Sequence, residues 1–250
     1  YLNKINPLLI NVKKVFISES KRRDWGMTGD VILPGIDAND YGGYRGDNPL
    51  VLRVGNLIKE RDLMMGFTTS ESILSGLPSV TLGLNPNIRG SRKSSGFDDL
   101  LDHYRSLRVY LHTTANDYED GYNLSLLEAM AVGMPVISIA NKTSPIIDGI
   151  NGYISDDVQY LRTCAVRLLD DPILANSLGQ KARKTVRENF SQIKFLQLWI
   201  RSIEVAIVGF LERSSKELPK EDIGLNIQPE NTSVPQYFQN IRDDIVSLVP

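Results

Sequence analysis

Asp120-Gly121-Tyr122-Asn123-Leu124-Ser125-Leu126-Leu127-Glu128-Ala129-Met130-Ala131-Val132-Gly133-Met134-Pro135-Val136 decides how the whole chain is read. A glycine turn opens the stretch, a short helix starts near Leu124, Gly133-Met134-Pro135 stops it, and a buried strand follows. One carboxylate, Asp120, precedes the helix and another, Glu128, lies inside it. A helix N-terminus presents unpaired N–H groups and partial positive charge, which suits a phosphate. A carboxylate accepts hydrogen bonds of the kind sugar hydroxyls donate. A site with both features can hold a sugar phosphate.

Outward from this stretch, continuous apolar runs bounded by turns alternate with helical patterns, as in parallel strands covered by helices on both faces. Strands are expected at Val15–Ser18, Asp30–Leu33, Leu50–Val54, Ser79–Leu84, Arg108–Thr113, Pro135–Ile139 and Gly152–Ile154. Helices are expected at Asp62–Ser75, Phe97–Ser106, Leu124–Ala131, Val158–Leu169, Pro172–Asn189 and Ile193–Arg213. The alternation predicts a doubly wound α/β domain. Such sheets bind ligands beyond the carboxyl ends of their strands, and Asp120 follows the strand that ends near Thr113. The last helix carries Phe195, Leu196, Trp199, Ile200, Ile203, Ile207 and Phe210 at helical spacing, an apolar face to be covered. Ser214–Pro235 reads as a loose polar tail and Tyr237–Leu248 as a short amphipathic helix.

Composition narrows the function classes. The 250 residues suffice for one large or two small domains, and 42% hydrophobic content allows a sizeable core. A net charge of −2 gives no support to a general nucleic-acid or membrane-seeking surface. Cys164 is the only cysteine, which excludes an intrachain disulfide and a thiolate cluster and fits a reducing compartment. No run approaches the roughly eighteen apolar residues of a membrane helix. No signal peptide is visible. The chain begins at Tyr1 rather than Met, and an upstream part is expected.

The chemistry-bearing residues each admit two readings. Glu128 adjoins the apolar positions Leu124, Leu127 and Ala131, where an acid is costly unless paired or wet; the bland reading is a surface glutamate at the stripe's edge. Asp120, with Glu119 beside it, is either a hydroxyl acceptor or an acid favouring the helix N-terminus through the dipole. Gly121 allows close backbone approach. Asn123 reads as an ordinary N-cap, which leaves the backbone N–H groups of Asn123 and Leu124 as phosphate donors. Arg61, after the strand Leu50–Val54, is either a bidentate anion ligand or a solvated helix-start residue. His112 ends a strand at the ligand edge and reads as an acid–base group or as a satisfied structural histidine. His103 reads as helix surface. Ser91-Arg92-Lys93-Ser94-Ser95 lacks the Walker pattern and reads as a mobile surface loop. The two histidines and the cysteine have no zinc spacing, and there is no Asp-x-Asp motif.

The Asp120–Val136 stretch resembles the acidic E-x7-E motif of the family 4 glycosyltransferases, also called glycosyl transferases group 1. The likeness continues through Ser144-Pro145-Ile146-Ile147-Asp148-Gly149-Ile150-Asn151-Gly152 and covers roughly Val51 to Ser191. It implies a GT-B fold of two facing Rossmann-like domains, of which this chain holds the C-terminal, donor-binding one. By resemblance Glu128 accepts hydrogen bonds from the nucleotide ribose, and Asp120 binds donor-sugar hydroxyls, with Glu119 able to serve instead. Gly121, Tyr122, Asn123 and Leu124 form the phosphate-facing turn. The family places Arg just after Gly55 and Lys five residues later; here Asn56 and Arg61 stand there, so one charge is lost and Lys59 is a candidate to replace it.

The expected organisation is therefore residues 1–45 as the end of a first domain and its linker, 46–191 as a nucleotide-sugar-binding Rossmann-like domain, 192–214 as a C-terminal helix that either crosses onto the first domain or packs on its own, and 215–250 as a tail. The resemblance implies a retaining, hexosyltransferase-like, metal-independent enzyme. The nucleotide sugar is its substrate and the acceptor is a glycan, lipid or protein. The alternatives are a non-catalytic nucleotide-sugar-binding module and a GT-B-type sugar-nucleotide epimerase. No nucleic-acid partner is expected. A cytoplasmic location is expected, with membrane association left to the upstream part.

Overall fold

The computed structural model describes residues 2–118 and 121–217. In chain order the elements are α1 (Leu2–Ile5), β1 (Val15–Phe16), α2 (Glu19–Trp25), β2 (Asp30–Val31), β3 (Asn48–Val54), α3 (Asp62–Met65), α4 (Phe67–Leu74), β4 (Ser79–Leu82), α5 (Phe97–Ser106), β5 (Leu107–His112), α6 (Leu124–Val132), β6 (Val136–Ser138), β7 (Tyr153–Ile154), α7 (Val158–Asp170), α8 (Pro172–Asn189) and α9 (Gln192–Glu217). Among the described residues, one compact unit runs from Phe16 to Phe195, and a second comprises residues 2–15 and 196–217.

The larger unit is the expected α/β domain. Its sheet has the order β4-β3-β5-β6-β7 with every pairing parallel. Side chains of one strand alternate between its faces, and the alternation sorts the core into two halves. Leu52, Tyr110 and Val136 join Leu101, Leu127, Met130 and Val186 on the face covered by α5, α6 and α8. Val51, Val109, Leu111 and Ile137 meet Ile73, Leu161, Leu168 and Leu178 on the other. β5 is buried along its whole length, as a central strand covered on both faces must be. Arg53 on β3 is 5% exposed and is held by Thr81, Ser70 and a 2.7 Å ion pair with Glu71. β1 and β2 form a separate two-stranded sheet.

Three features depart from the sequence expectations. The helix expected over Asp62–Ser75 is two helices, α3 and α4, broken at Gly66 with φ +63°. The carbonyls of Met64 and Met65 accept from Ala115 N–H and Thr113 Oγ1 beyond β5, at 2.8 Å each. The Asp62 carboxylate starts the second helix by accepting from the N–H and hydroxyl of Thr68, which lowers its pKa. The loop Ser91–Ser95 is tied down: Arg92 chelates Asp99 at 2.6 and 2.8 Å, and its backbone bridges to Leu82. On α9, Trp199, Ile203 and Phe210 are 37%, 46% and 62% exposed, whereas Phe195, Leu196, Ile200 and Ile207 are partly buried, so the apolar stripe is covered only in part. The expected tail and helix beyond residue 217 lie outside the described residues. Among the described residues no helix is long and apolar enough to cross a membrane.

Gly66 occupies left-handed backbone, and a Cβ there would collide with the carbonyl oxygen of Thr113. Gly66→Ala is expected to destabilise the domain by more than the ~1–2 kcal/mol of the backbone strain alone, read as a lower urea midpoint.

Candidate functional site

The sheet order creates the site. From β3 the chain passes to β4 on one side and then to β5 on the other, so the direction of winding reverses between β3 and β5. At such a point the loops leaving the carboxyl ends part and open a crevice. A cleft of roughly 390 Å³ lies there, within the size range of small-molecule sites. Gly55 and Asn56 after β3, Thr114 after β5, Arg61 and Met65 of the next turn, and Asn123 at the start of α6 all line it.

The start of α6 is built for an anion. Asn123 has extended backbone (φ −72°, ψ 121°) and its Oδ1 accepts from Leu126 N–H at 3.1 Å and from Ser125 Oγ at 2.8 Å. Tyr110 of β5 donates its hydroxyl to Ser125 Oγ at 3.0 Å, which anchors the cap to the central strand. Asn123 thus satisfies the third helical N–H. The N–H groups of Leu124 and Ser125 have no partner among the described residues and carry the positive end of the helix dipole. Gly121 is buried, and a Cβ on it would stand 2.5 Å from Ile17 Cδ1, so a larger residue there would have to displace the Ile17 side chain.

Arg61 supplies the full charge. It is exposed at the cleft wall, N-caps α3, and donates to Met64 Sδ at 2.9 Å; among the described residues it has no carboxylate partner. Asn56 accepts from Leu84 N–H at 2.7 Å through Oδ1, so what it can offer a ligand is its amide donors. Lys59 lies over the Phe67 ring at 5.7 Å and does not line the cleft.

Of the residues singled out in the sequence, the structure gathers Asn56, Arg61, Gly121, Tyr122 and Asn123 around this one cleft. Leu124 opens α6 with its side chain 56% exposed and outside the cleft lining. Glu119 and Asp120 lie outside the described residues. Glu128 is half-buried one turn further along α6 and is not part of the cleft lining. Its Oε2 accepts from the Tyr104 hydroxyl at 3.1 Å and its Oε1 from the Tyr41 hydroxyl at 3.4 Å. Burial raises its pKa, and the two phenol donors oppose that rise. The Tyr41 phenol is pushed up to about 12, first by its own burial and then by the Glu128 charge. His112 is buried, with Nδ1 3.1 Å from Ser138 Oγ. Ser138 gives its own proton to the Ile139 carbonyl, so Nδ1 is the donor in that contact. His103 Nδ1 bonds the Asp99 carbonyl at 2.7 Å.

Ile17, Met64, Tyr118 and Ser125 also line the cleft and were not singled out. Ile17 directly follows β1, and Tyr118 and Ser125 flank the glycine turn, so their place at the carboxyl edge was the available signal.

Comparison with known proteins adds the following. Residues 65–171 match the family model described as "Glycosyl transferases group 1". The poly(ribitol-phosphate) alpha-N-acetylglucosaminyltransferase of Staphylococcus aureus is 30% identical over 95 residues, which is 36% of this chain and 19% of that protein. A TarM variant from S. aureus, solved with Fondaparinux, alpha-GlcNAc-glycerol and UDP, superposes with a TM-score of 0.64 at 17% identity over 80% of this chain and 45% of that one. HepE from Anabaena, solved with UDP, superposes with a TM-score of 0.66 at 15% identity over 82% of this chain and 67% of that one. At these identities the structural likeness is one of fold, the Rossmann-like parallel sheet. The chain spans about a fifth of the length of the curated relatives it matches.

The raised pKa of Glu128 has a definite consequence for stability. A carboxyl that holds its proton more tightly when folded contributes stability that is fully present below the ordinary carboxylate range and is lost as pH rises through the raised value. Thermal melting from about pH 4 to about pH 7 is expected to show wild type losing stability relative to Glu128→Gln. A pH-independent difference between the two proteins would refute the assigned burial effect.

Proposed function

We propose, from the match of residues 65–171 to the family model of the glycosyl transferases group 1, that this chain is the donor-binding part of a glycosyltransferase. In this reading a nucleotide sugar lies in the cleft with its diphosphate at the amino end of α6. The carrying observation is that Arg61 and that helix start line the same cleft, at the turn-around between β3 and β5.

Transfer requires the bond between the anomeric carbon and the phosphate oxygen to break, which builds negative charge on the leaving diphosphate. The N–H groups of Leu124 and Ser125 are set by the cap before the ligand arrives and stabilise that charge without reorganising, and the exposed Arg61 side chain adds a full positive charge from the cleft wall. Asn56 contributes neutral amide donors where a second cation would otherwise stand. Asp120, with Glu119 as neighbour, holds the hydroxyls of the sugar being moved, and Glu128 holds those of the ribose. Positive groups of this kind supply the charge neutralisation that a divalent ion provides elsewhere, and metal-independent transfer is part of the proposal. So is retention of configuration: the acceptor attacks from the face the phosphate leaves, and the leaving phosphate oxygen takes the acceptor's proton. The acceptor is proposed to be a glycan or polyol chain; the S. aureus relative's name points to a poly(ribitol-phosphate).

Thermal shift of the chain with UDP-, GDP- and ADP-sugars is expected to give stabilisation by one base class, and no stabilisation by any would overturn the donor reading. In a transfer assay on the intact protein, Arg61→Ala is expected to lower kcat on the order of 100-fold, and unchanged turnover would reject its role. Proton NMR of the first product is expected to show the donor's anomeric configuration; the opposite anomer would refute retention.

A further inference from the structure

The acid on α6 is already occupied in the free protein, by two phenols that are held very differently. Tyr104 is 1% exposed, its ring is part of the core, and it donates to Oε2 of Glu128 at 3.1 Å. Tyr41 belongs to the segment leading into β3, is only partly buried, and donates to Oε1 at 3.4 Å, near the limit of a hydrogen bond. Its backbone is strapped down. Arg183 donates to the carbonyls of Ala38 and Tyr41 at 2.6 and 2.9 Å and to that of Ala131, and Arg105 donates to the Gly42 carbonyl at 2.6 Å. The ring rests edge-on against Phe97 at 5.8 Å, and Phe97 is 51% exposed. So the Tyr41 backbone is fixed beside the acid, while its ring packs at the edge of the core, edge-on to Phe97, and reaches the acid through one long hydrogen bond.

The position of the acid explains why such an arrangement is useful. Glu128 is four residues on from Leu124, which puts it on the same face of α6 and about 6 Å further along the axis. In the donor reading above, a nucleoside diphosphate with its phosphates at the helix start reaches beyond the cleft lining along this face, with its ribose at Glu128. Without ligand, a half-buried carboxylate lacking donors would be costly, and the two phenols meet that need. A ribose hydroxyl arriving at Oε1 supplies the same donor.

We propose that Tyr41 is a displaceable internal ligand of Glu128, whose hydroxyl takes the place of a ribose hydroxyl until a nucleotide binds. The proposal rests on the donor reading above. It makes nucleotide binding an exchange, in which one hydrogen bond to Oε1 breaks as another forms, so the free protein sets its own affinity through Tyr41. Phe97 remains as the wall against which the released ring turns.

The test is isothermal titration of UDP, GDP and ADP, and then of the 2′,3′-dideoxy form of whichever binds, into the wild-type chain and into Tyr41→Phe. The ring and its contact with Phe97 survive this change, and an unaltered melting curve verifies the fold. Removing the competitor is expected to tighten the ribonucleotide about two- to tenfold, the worth of one hydrogen bond, with no gain for the dideoxy form. Equal or weaker ribonucleotide binding in Tyr41→Phe, or an equal gain for the dideoxy form, overturns this proposal and leaves the donor reading standing. Absence of binding by all three nucleotides to either protein overturns the donor reading and this proposal with it.

Discussion

The parallel pairing of β3 with β5 is the constraint from which the rest of the site follows. Leu52 lies opposite Tyr110 and Val51 opposite Val109, and each pair is buried in its own half of the core. A parallel register between strands separated by β4 and two helical crossings can be held only by burial on both faces. Once held, it sets the ends of β3 and β5 side by side. The turn after one strand carries Asn56 and Arg61, and the turn after the other leads to α6. The cleft between them is a product of topology, and no side chain within it is needed to make it.

The second layer of order fixes the donors that the cleft presents. Tyr110 reaches from the central strand to Ser125, Ser125 to Asn123, and Asn123 to the N–H of Leu126. This chain of hydrogen bonds ties the amino end of α6 to the sheet, so its remaining N–H groups have a set direction. On the opposite wall, Thr113 and Ala115 bond to the carbonyls of Met65 and Met64. The kinked pair α3 and α4 is thereby held to the end of β5, and Arg61 stands at its start. Both walls are tied to the same strand, so the turn that carries Arg61 and the amino end of α6 face one cleft.

Polar groups away from the cleft show what burial demands. Arg53 enters the sheet interior only because Glu71, Ser70 and Thr81 surround its guanidinium. Glu128 is tolerated beside the core only because two phenols reach it. In the first case all the partners lie on regular elements, Thr81 on β4 and Ser70 and Glu71 on α4. In the second, one partner sits on a partly exposed ring in the segment before β3. The proposed exchange at Glu128 therefore depends on how the partner is anchored, and not on the acid itself.

The seven strands were legible from apolar runs and turns alone, because a covered strand is predominantly apolar and a turn marks each of its ends. Helix starts at Phe97, Leu124, Val158 and Pro172 were legible as well, since caps and period act within a few residues. The residues of the glycine turn and Arg61 could be named from their place beyond strand ends. The break at Gly66 could not, because it is imposed by Thr113, which is distant in sequence and adjacent only after β3 and β5 pair. Nor could the tethering of Arg92 to Asp99, which gives the expected mobile loop a fixed course. The exposure of Trp199, Ile203 and Phe210 was equally hidden, since helical spacing says which residues share a face and not which face is covered. The partners of Glu128 belong to the same class: Tyr41 is far away in the chain, and only folding brings its hydroxyl to the acid. Local sequence determined the elements and the chemical kinds available at their ends, because those depend on short-range backbone and solvent preferences. Which of those groups share a cleft and which already hold each other was decided by tertiary structure, because it depends on distances set only by packing.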